Sequence, residues 1–252
     1  MKHLFSASSA SLSLIQIVAT LGTVIGFWFF DYNFYNILLL LFAYFLYAGI
    51  GVSMMLHRYW CHRSFQFKSK PLMVIFSWFA LMAGRGSILG WVHVHREHHA
   101  YSDTPKDPHA PNVYGWKLFF PFLLNYGDNI NRFLIRDLYT SIHLKINRYY
   151  LLLILMWVIL LSTVSLELAY FGWFVPVALT QIMLNSFIYY GHQYGYRNHN
   201  TNDDSRNLWP FGYFLWGEGW HNNHHRHAGK WTFKEKWWEF DPIEYVVRLV
   251  KK

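Results

Sequence analysis

Asn36–Leu56 reads NILLLLFAYFLYAGIGVSMML, an uncharged run that passes directly into His57-Arg58-Tyr59-Trp60-Cys61-His62. The hydrocarbon core of a bilayer takes roughly 20 apolar residues per helix. Three other windows qualify in the same way: 11–30, 149–166 and 170–191 contain no charge. Asp31 separates the first two windows, and Glu167 the last two. Backbone polar groups left open in lipid are costly, so each window is expected to be a helix. The reading is an all-α integral membrane protein. Four transmembrane helices form two hairpins, and the cytosolic segments 57–148 and 192–252 make a helical cap. Residues 1–252 are expected to form one membrane domain.

The rest of the composition fits this frame. The chain is 54% hydrophobic and 21% aromatic but only 14% charged, where soluble domains run near one quarter charged. Mean hydropathy is only +0.10, so part of the chain is expected in lipid and part in water. One cysteine, Cys61, excludes a disulfide framework and any Cys-rich metal site. The net charge of +8 invites a nucleic-acid reading, but the basic residues flank the spans and form no stripe. Lys2 precedes the first window, and every other lysine and arginine falls in 57–148 or after 191. By the positive-inside rule both termini and all twenty-two basic residues lie on the cytosolic side. Residues 11–30 are long for a signal peptide and lead into Phe27-Trp28-Phe29-Phe30 with no cleavage site, so they are expected to be retained. Residues 71–94, interrupted by Gly84-Arg85-Gly86, read as a re-entrant or interfacial segment. Trp116–Asn125 and the aromatic stretch from Trp237 read as interfacial.

Fifteen histidines are the other anomaly, and they are grouped. His57 and His62 make H-x-x-x-x-H; His95, His98 and His99 make H-x-x-H-H; His221, His224 and His225 make a second H-x-x-H-H. Residues i, i+3 and i+4 share a helix face, so each H-x-x-H-H aims three imidazoles at one point or at two adjacent metals. Five-residue spacing is poorer, about 140° apart on an ideal helix. His57 and His62 are therefore expected to serve two different metals, or to sit where the helix unwinds. His57 follows the second window and His192 the fourth, so all these residues are expected on one face of the membrane. His3, His93, His109, His143, His199 and His227 are given surface, interfacial or supporting roles, His93 and His227 being nearest to the boxes.

Nine imidazoles exceed the capacity of one ion, which implies two. Structural zinc more often uses thiolate, and an imidazole-rich site with open positions suits oxygen-activating iron. Zinc hydrolysis is the competitor, yet the zinc-protease helix H-E-x-x-H is absent. Carboxylate di-iron bundles need two Glu-x-x-His motifs, and only Glu218-Gly219-Trp220-His221 occurs. A metal transporter would place ligands near the midplane, where these windows hold no histidine.

Three histidine boxes of this spacing with four spans resemble the integral-membrane fatty acyl desaturases, in their acyl-CoA and Δ9 acyl-lipid branch of bacterial type. Gly217-Glu218-Gly219-Trp220-His221-Asn222-Asn223-His224-His225, Asp203-Asp204-Ser205-Arg206-Asn207-Leu208, Asp107-Pro108-His109 and Trp237-Trp238-Glu239-Phe240-Asp241-Pro242 carry the likeness further. The resemblance spans roughly residues 51–249. It implies two irons held by His57, His62, His95, His98, His99, His221, His224 and His225, with His192 as the ninth ligand. It also implies an asparagine four residues before His192, reaching one iron through water. That position is Ile188 here; Asn185 lies about one turn deeper and substitutes only if the helix is distorted.

The implied reaction is O2-dependent desaturation of a long acyl chain, expected at Δ9, with hydroxylation on the same scaffold as the alternative. Asp103, Asp107, Glu97 and Glu218 are expected, by proximity, to orient ligands. No residue beyond the metal ligands is assigned a catalytic role. No electron-carrier domain is legible, so a ferredoxin, rubredoxin or cytochrome b5-type donor is implied. Lys230, Lys234 and Lys236 are expected to meet an acidic donor or anionic lipid. The acyl carrier, CoA or lipid, stays open.

Overall fold

Local capping sets where the helices begin. The Ser8 side chain accepts from Ser11 N at 3.3 Å and opens α1, Ser9–Gly26; Asn33 accepts from Asn36 N at 3.0 Å and opens α2, Phe34–Cys61. The structure is a computed structural model that describes residues 8–120, 123–124 and 130–252. Lys2, His3 and part of the expected interfacial stretch 116–125 lie outside the described residues. Beyond α1 and α2 come α3 (Lys70–Met82), α4 (Ile88–Tyr101), α5 (Ser141–Arg148), α6 (Tyr150–Val164), α7 (Leu166–Tyr190), α8 (Trp209–Phe214), α9 (His221–Arg226) and α10 (Pro242–Val250). Among the described residues the protein is helical, with isolated β-bridges and no strand.

Three helices, α1, α2 and α7, are long and apolar enough to cross a membrane. The expected third span is shorter than its apolar run. Ser165 is extended and its side chain accepts from Leu168 N, which starts α7 and ends α6 at Val164. The resulting 15-residue helix is about 22 Å long at helical rise. It makes a fourth span only together with α5, from which it is bent by 66° at Tyr149. Pro176 lies inside α7, where it removes a donor; the wider π-type winding over Tyr170–Phe174 just before it absorbs the mismatch.

The hairpin turns meet at one end of the molecule. Asn36 Nδ2 donates to Asp31 O at 2.8 Å and to Glu167 Oε1 at 2.5 Å, which ties the two acidic turn residues together. Tyr32 and Tyr170 share a 2.7 Å hydroxyl bond beside them. The far ends of α2 and α7 carry the histidines.

Between these ends, α3 and α4 form an apolar pair joined by Ala83–Ser87. Polar groups at and beside this irregular tip find partners within the protein. Tyr150 OH donates to Leu81 O at 3.1 Å, Trp173 Nε1 to Met82 O at 3.1 Å and Gln181 Nε2 to Gly84 O at 2.7 Å. Gly86 N in turn donates to Tyr150 OH at 3.0 Å. Gly84 (φ +74°) and Gly86 (φ +109°) make the reversal sterically cheap.

Candidate metal centre

The first box departs from its expected geometry. From Phe45 to Cys61, α2 is wound as a π-helix, with i→i+5 bonding that ends in His62 N donating to His57 O at 3.2 Å. This winding brings residues five apart onto one face, and the two rings lie 5.1 Å apart between centroids. Of the two expectations for His57 and His62, the structure follows the second: the helix is unwound from α geometry here, and both rings belong to one group instead of two. Long π segments are rare and concentrate at functional sites.

All nine histidines singled out in the sequence converge, in two groups. His57, His62, His95, His99 and His224 form the first; His98, His192, His221 and His225 form the second. Within each group the ligand nitrogens lie within 4.8 Å of one another. Each H-x-x-H-H box is split between groups. On α4, His95 and His99 are one turn apart and face the first group while His98 faces the second. On α9 the pattern inverts: His221 and His225 face the second group, His224 the first. The Nε2 atoms point inward, with separations of 2.9 Å for His57–His224 and His99–His224, 2.9 Å for His192–His221 and 3.2 Å for His98–His225.

Carboxylates fix the tautomers from behind. Glu218 meets His57 Nδ1 at 2.5 Å, Asp107 meets His98 Nδ1 at 2.9 Å, Asp103 meets His192 Nδ1 at 3.0 Å and Asp203 meets His225 Nδ1 at 2.9 Å. A neutral imidazole has one N–H and one lone pair. Holding the hydrogen on Nδ1 aims the Nε2 lone pairs at each other, about 3 Å apart and buried, an arrangement that repels unless a cation lies between. The donor set thus fits a metal. Burial, reinforced by the neighbouring rings, holds His62, His95, His98, His99, His221 and His224 well below the usual imidazole range, in the neutral form a metal needs. Burial also pushes the Asp107 carboxyl up to about 6. Asp203 behaves oppositely: burial opposes its ionisation, but bonds from His225, Ser205 and Thr201 hold it well below the carboxylate range.

Three of the four acidic residues expected to orient ligands, Glu218, Asp107 and Asp103, do contact grouped histidines. Glu97 does not; it lies 3.7 Å from His93. Asp203 was missed, since its only signal was a place in the Asp203–Leu208 motif. Further support comes from Arg58, fully buried, which donates to Asp241 Oδ2 at 2.8 Å and lies 3.4 Å from the Glu218 carboxylate. Box three is pinned by amides. Asn207 Oδ1 accepts from Asn222 N at 3.0 Å, and Asn223 Nδ2 donates to Glu239 Oε2 at 2.8 Å and Phe233 O at 2.9 Å. Gly219 packs so tightly on the backbone of Leu208 and Gly212 that a Cβ has no room.

The remaining described histidines stay outside both groups. His93 Nε2 accepts from Asn131 N at 2.8 Å, His143 donates to Leu138 O at 2.8 Å, and His109 packs 4.3 Å from the His98 ring. His199 and His227 flank Glu235 at 2.5 and 3.7 Å. Asn185 is taken up elsewhere: its Oδ1 accepts from Arg85 at 2.8 Å and its Nδ2 donates to Phe119 O at 3.3 Å. Lys230 and Lys234 are engaged by Glu235 and Glu244 at 3.1 and 2.9 Å, while Lys236 lies over the Tyr196 and Trp238 rings.

A largely apolar pocket opens against the histidines. Trp91, Val94, Leu184, Phe187 and Ile188 form its walls, and His95, His98, His192 and His221 border it. A slot of this kind suits a hydrocarbon chain.

Comparison with known proteins agrees. The family model for fatty acid desaturases matches residues 32–248. The chain is 32% identical to Delta-9 acyl-lipid desaturase 1 of Arabidopsis thaliana, over 81% of this chain and 68% of that protein. It is 30% identical to the sn-1 stearoyl-lipid 9-desaturase of Synechocystis sp., over 95% and 74%. Identity is also 30% to the hex-5-enoyl-[acyl-carrier protein] acetylenase of Moorena producens, over 90% and 78%. With long apolar helices, two imidazole groups and a largely apolar pocket beside them already described, this match places the chain in the fatty acid desaturase family, as a membrane oxidoreductase acting on fatty acyl chains.

Proposed function

We propose that the protein inserts a cis double bond, at Δ9, into a long acyl chain of a membrane lipid, using two irons held by His57, His62, His95, His99 and His224 and by His98, His192, His221 and His225. One observation carries the reading: nine imidazole Nε2 atoms converge in two groups, while carboxylates meet the Nδ1 atoms of four of the rings, His57, His98, His192 and His225. The position of the double bond follows the names of the plant and cyanobacterial relatives.

Bound iron supplies the oxidising power for an unactivated C–H bond, with O2 as oxidant. The balance requires a donor: two hydrogens leave the chain, two electrons and two protons enter, and O2 ends as two waters. The residues of this chain do the positioning. Glu218, Asp107, Asp103 and Asp203 orient His57, His98, His192 and His225. Trp91 stacks on His95 at 4.7 Å and 19°, which fixes that ring while offering its other surface to the pocket. Leu184, Phe187 and Ile188 on α7 exclude water and lead methylenes past His192 and His221.

In this reading α1, α2, α5–α6 and α7 are four spans, α3–α4 is re-entrant, and the histidine end faces the cytosol with the basic residues. The electron donor is a separate acidic ferredoxin, rubredoxin or cytochrome b5-type carrier. Expression in a host unable to make unsaturated fatty acids tests the function. Monounsaturated chains with one dominant bond position are the expected outcome; hydroxylated chains or none would sink it.

A further inference from the structure

Outside the nine-histidine centre, His199, His227 and Glu235 bring a further set of ligand atoms within 4.8 Å of one another. His199 Nε2 lies 2.5 Å from Glu235 Oε2, and His227 Nε2 lies 3.7 Å from Glu235 Oε1. The two rings are 5.2 Å apart and nearly perpendicular, at 87°. Each ring presents its Nε2 to the same carboxylate, from a different segment of the chain. All three side chains are partly open to solvent, so an ion has access.

The backbones that carry these side chains are fixed independently of them. His199 N donates to Asn222 Oδ1 at 2.8 Å, and His199 O accepts from Asn222 Nδ2 at 3.1 Å. His227 N closes the end of α9 on Asn223 O at 3.0 Å. Glu235 N donates to Glu239 Oε2 at 2.6 Å, the oxygen that also accepts from Asn223 Nδ2. Two buried asparagines of box three thus set the positions of all three. Ligands held in place before an ion arrives lose little freedom in binding it.

The donor set chooses the ion. Two imidazoles and a carboxylate, with a fourth position open to water, suit a tetrahedral zinc-class ion; calcium and magnesium take oxygen ligands instead. Metal–ligand bonds of about 2.0–2.2 Å put neighbouring ligand atoms about 3.3 Å apart in a tetrahedron, and the 2.5 and 3.7 Å separations bracket that value. One competitor is present. Lys230 Nζ lies 3.1 Å from Glu235 Oε1, but its side chain is 49% exposed, and an exposed pair of this kind is weak.

We propose that His199, His227 and Glu235 form a third metal position, separate from the centre, for one divalent ion of the zinc class. The ion acts as a staple. His199 lies on the loop after α7 that also carries Asp203, the partner of His225, while His227 ends α9, which carries His225 itself. An ion shared by the two segments ties the carboxylate to the histidine it orients.

The test uses full-length, iron-loaded protein in nanodiscs with Zn2+ as the probe, and it reads binding and melting instead of activity. Wild type is expected to take up one more Zn2+ per chain than His199→Ala/His227→Ala, with equal iron retained in both. Zn2+ should raise the Tm of wild type and leave that of the double variant unchanged, while the two melt together without Zn2+. Glu235→Gln, which keeps both rings, should also lose the extra ion. Lys230→Ala removes the competing ammonium and should tighten Zn2+ binding about tenfold. Equal Zn2+ uptake by wild type and the double variant overturns the proposal and leaves these residues as an ion-pair cluster. Full uptake by Glu235→Gln, or no tightening in Lys230→Ala, overturns it as well by removing Glu235 from the ligands.

Discussion

The two imidazole groups are alike in ring count, five against four, but differ in what stands behind the rings. In the second group, three of four histidines are backed by aspartates: His98 by Asp107, His192 by Asp103 and His225 by Asp203. In the first, Glu218 backs His57, and packing fixes much of the rest: Trp91 on His95, and Phe233 at 5.1 Å from His57 and 4.5 Å from His224. Anionic partners raise ligand basicity and help to neutralise a dication. A fifth imidazole adds a bond but no charge. The comparison teaches that one position is stabilised by charge and the other by ligand number and aromatic packing. The first group is also tied into the core, since Glu218 is shared with buried Arg58.

The largest expected effect would break the comparison altogether. His98→Ala and His224→Ala, one from each group, should each reduce desaturation to background in the unsaturated-fatty-acid-deficient host while the protein still inserts in membranes. Activity at the wild-type level in either would remove that group from the centre. Glu218→Gln comes next. Arg58 keeps its 2.8 Å pair with Asp241, but the buried contacts of Glu218 with His57 and Ser53 are weakened, a cost of about 1–3 kcal/mol, read as a fall in Tm of the purified protein. Asp203→Asn should leave Tm nearly unchanged but weaken metal retention about 10–100-fold, measured as iron per chain after dialysis against a chelator. A large Tm loss with full metal retention would reverse the contrast between the groups. At the small end, His227→Ala lies outside both groups on a half-exposed ring. It should shift stability by less than about 0.5 kcal/mol and keep full product yield.

Much of this centre was legible beforehand because its signals are local. A charge-free window is read within the helix that contains it, and i, i+3, i+4 spacing places His95, His98 and His99 on one face whatever surrounds them. For His57 and His62 spacing left two alternatives, and only the i→i+5 winding of the helix chose between them. Proximity found Asp103, Asp107 and Glu218 but chose Glu97, which the turn of α4 carries toward His93. Asp203 lies on a loop far from the α4 box and 22 residues before its partner His225, so neither spacing nor composition marked its role. The third span read as a simple helix from its apolar run, yet an extended Ser165 and a bend at Tyr149 trim it at both ends.

The sequence alone determined that the chain has long apolar helices and that histidines, grouped by spacing, cluster beside their ends. These properties follow from residue type and near-neighbour spacing. Only the tertiary structure decided how each box divides between two groups, which carboxylate holds which ring, and that Arg85 lines the pocket shared with the histidines. Such pairings join residues up to 167 positions apart, as with His57 and His224. They arise because buried imidazoles, carboxylates and backbone groups must all find partners once the helices pack, a requirement that local pattern cannot express.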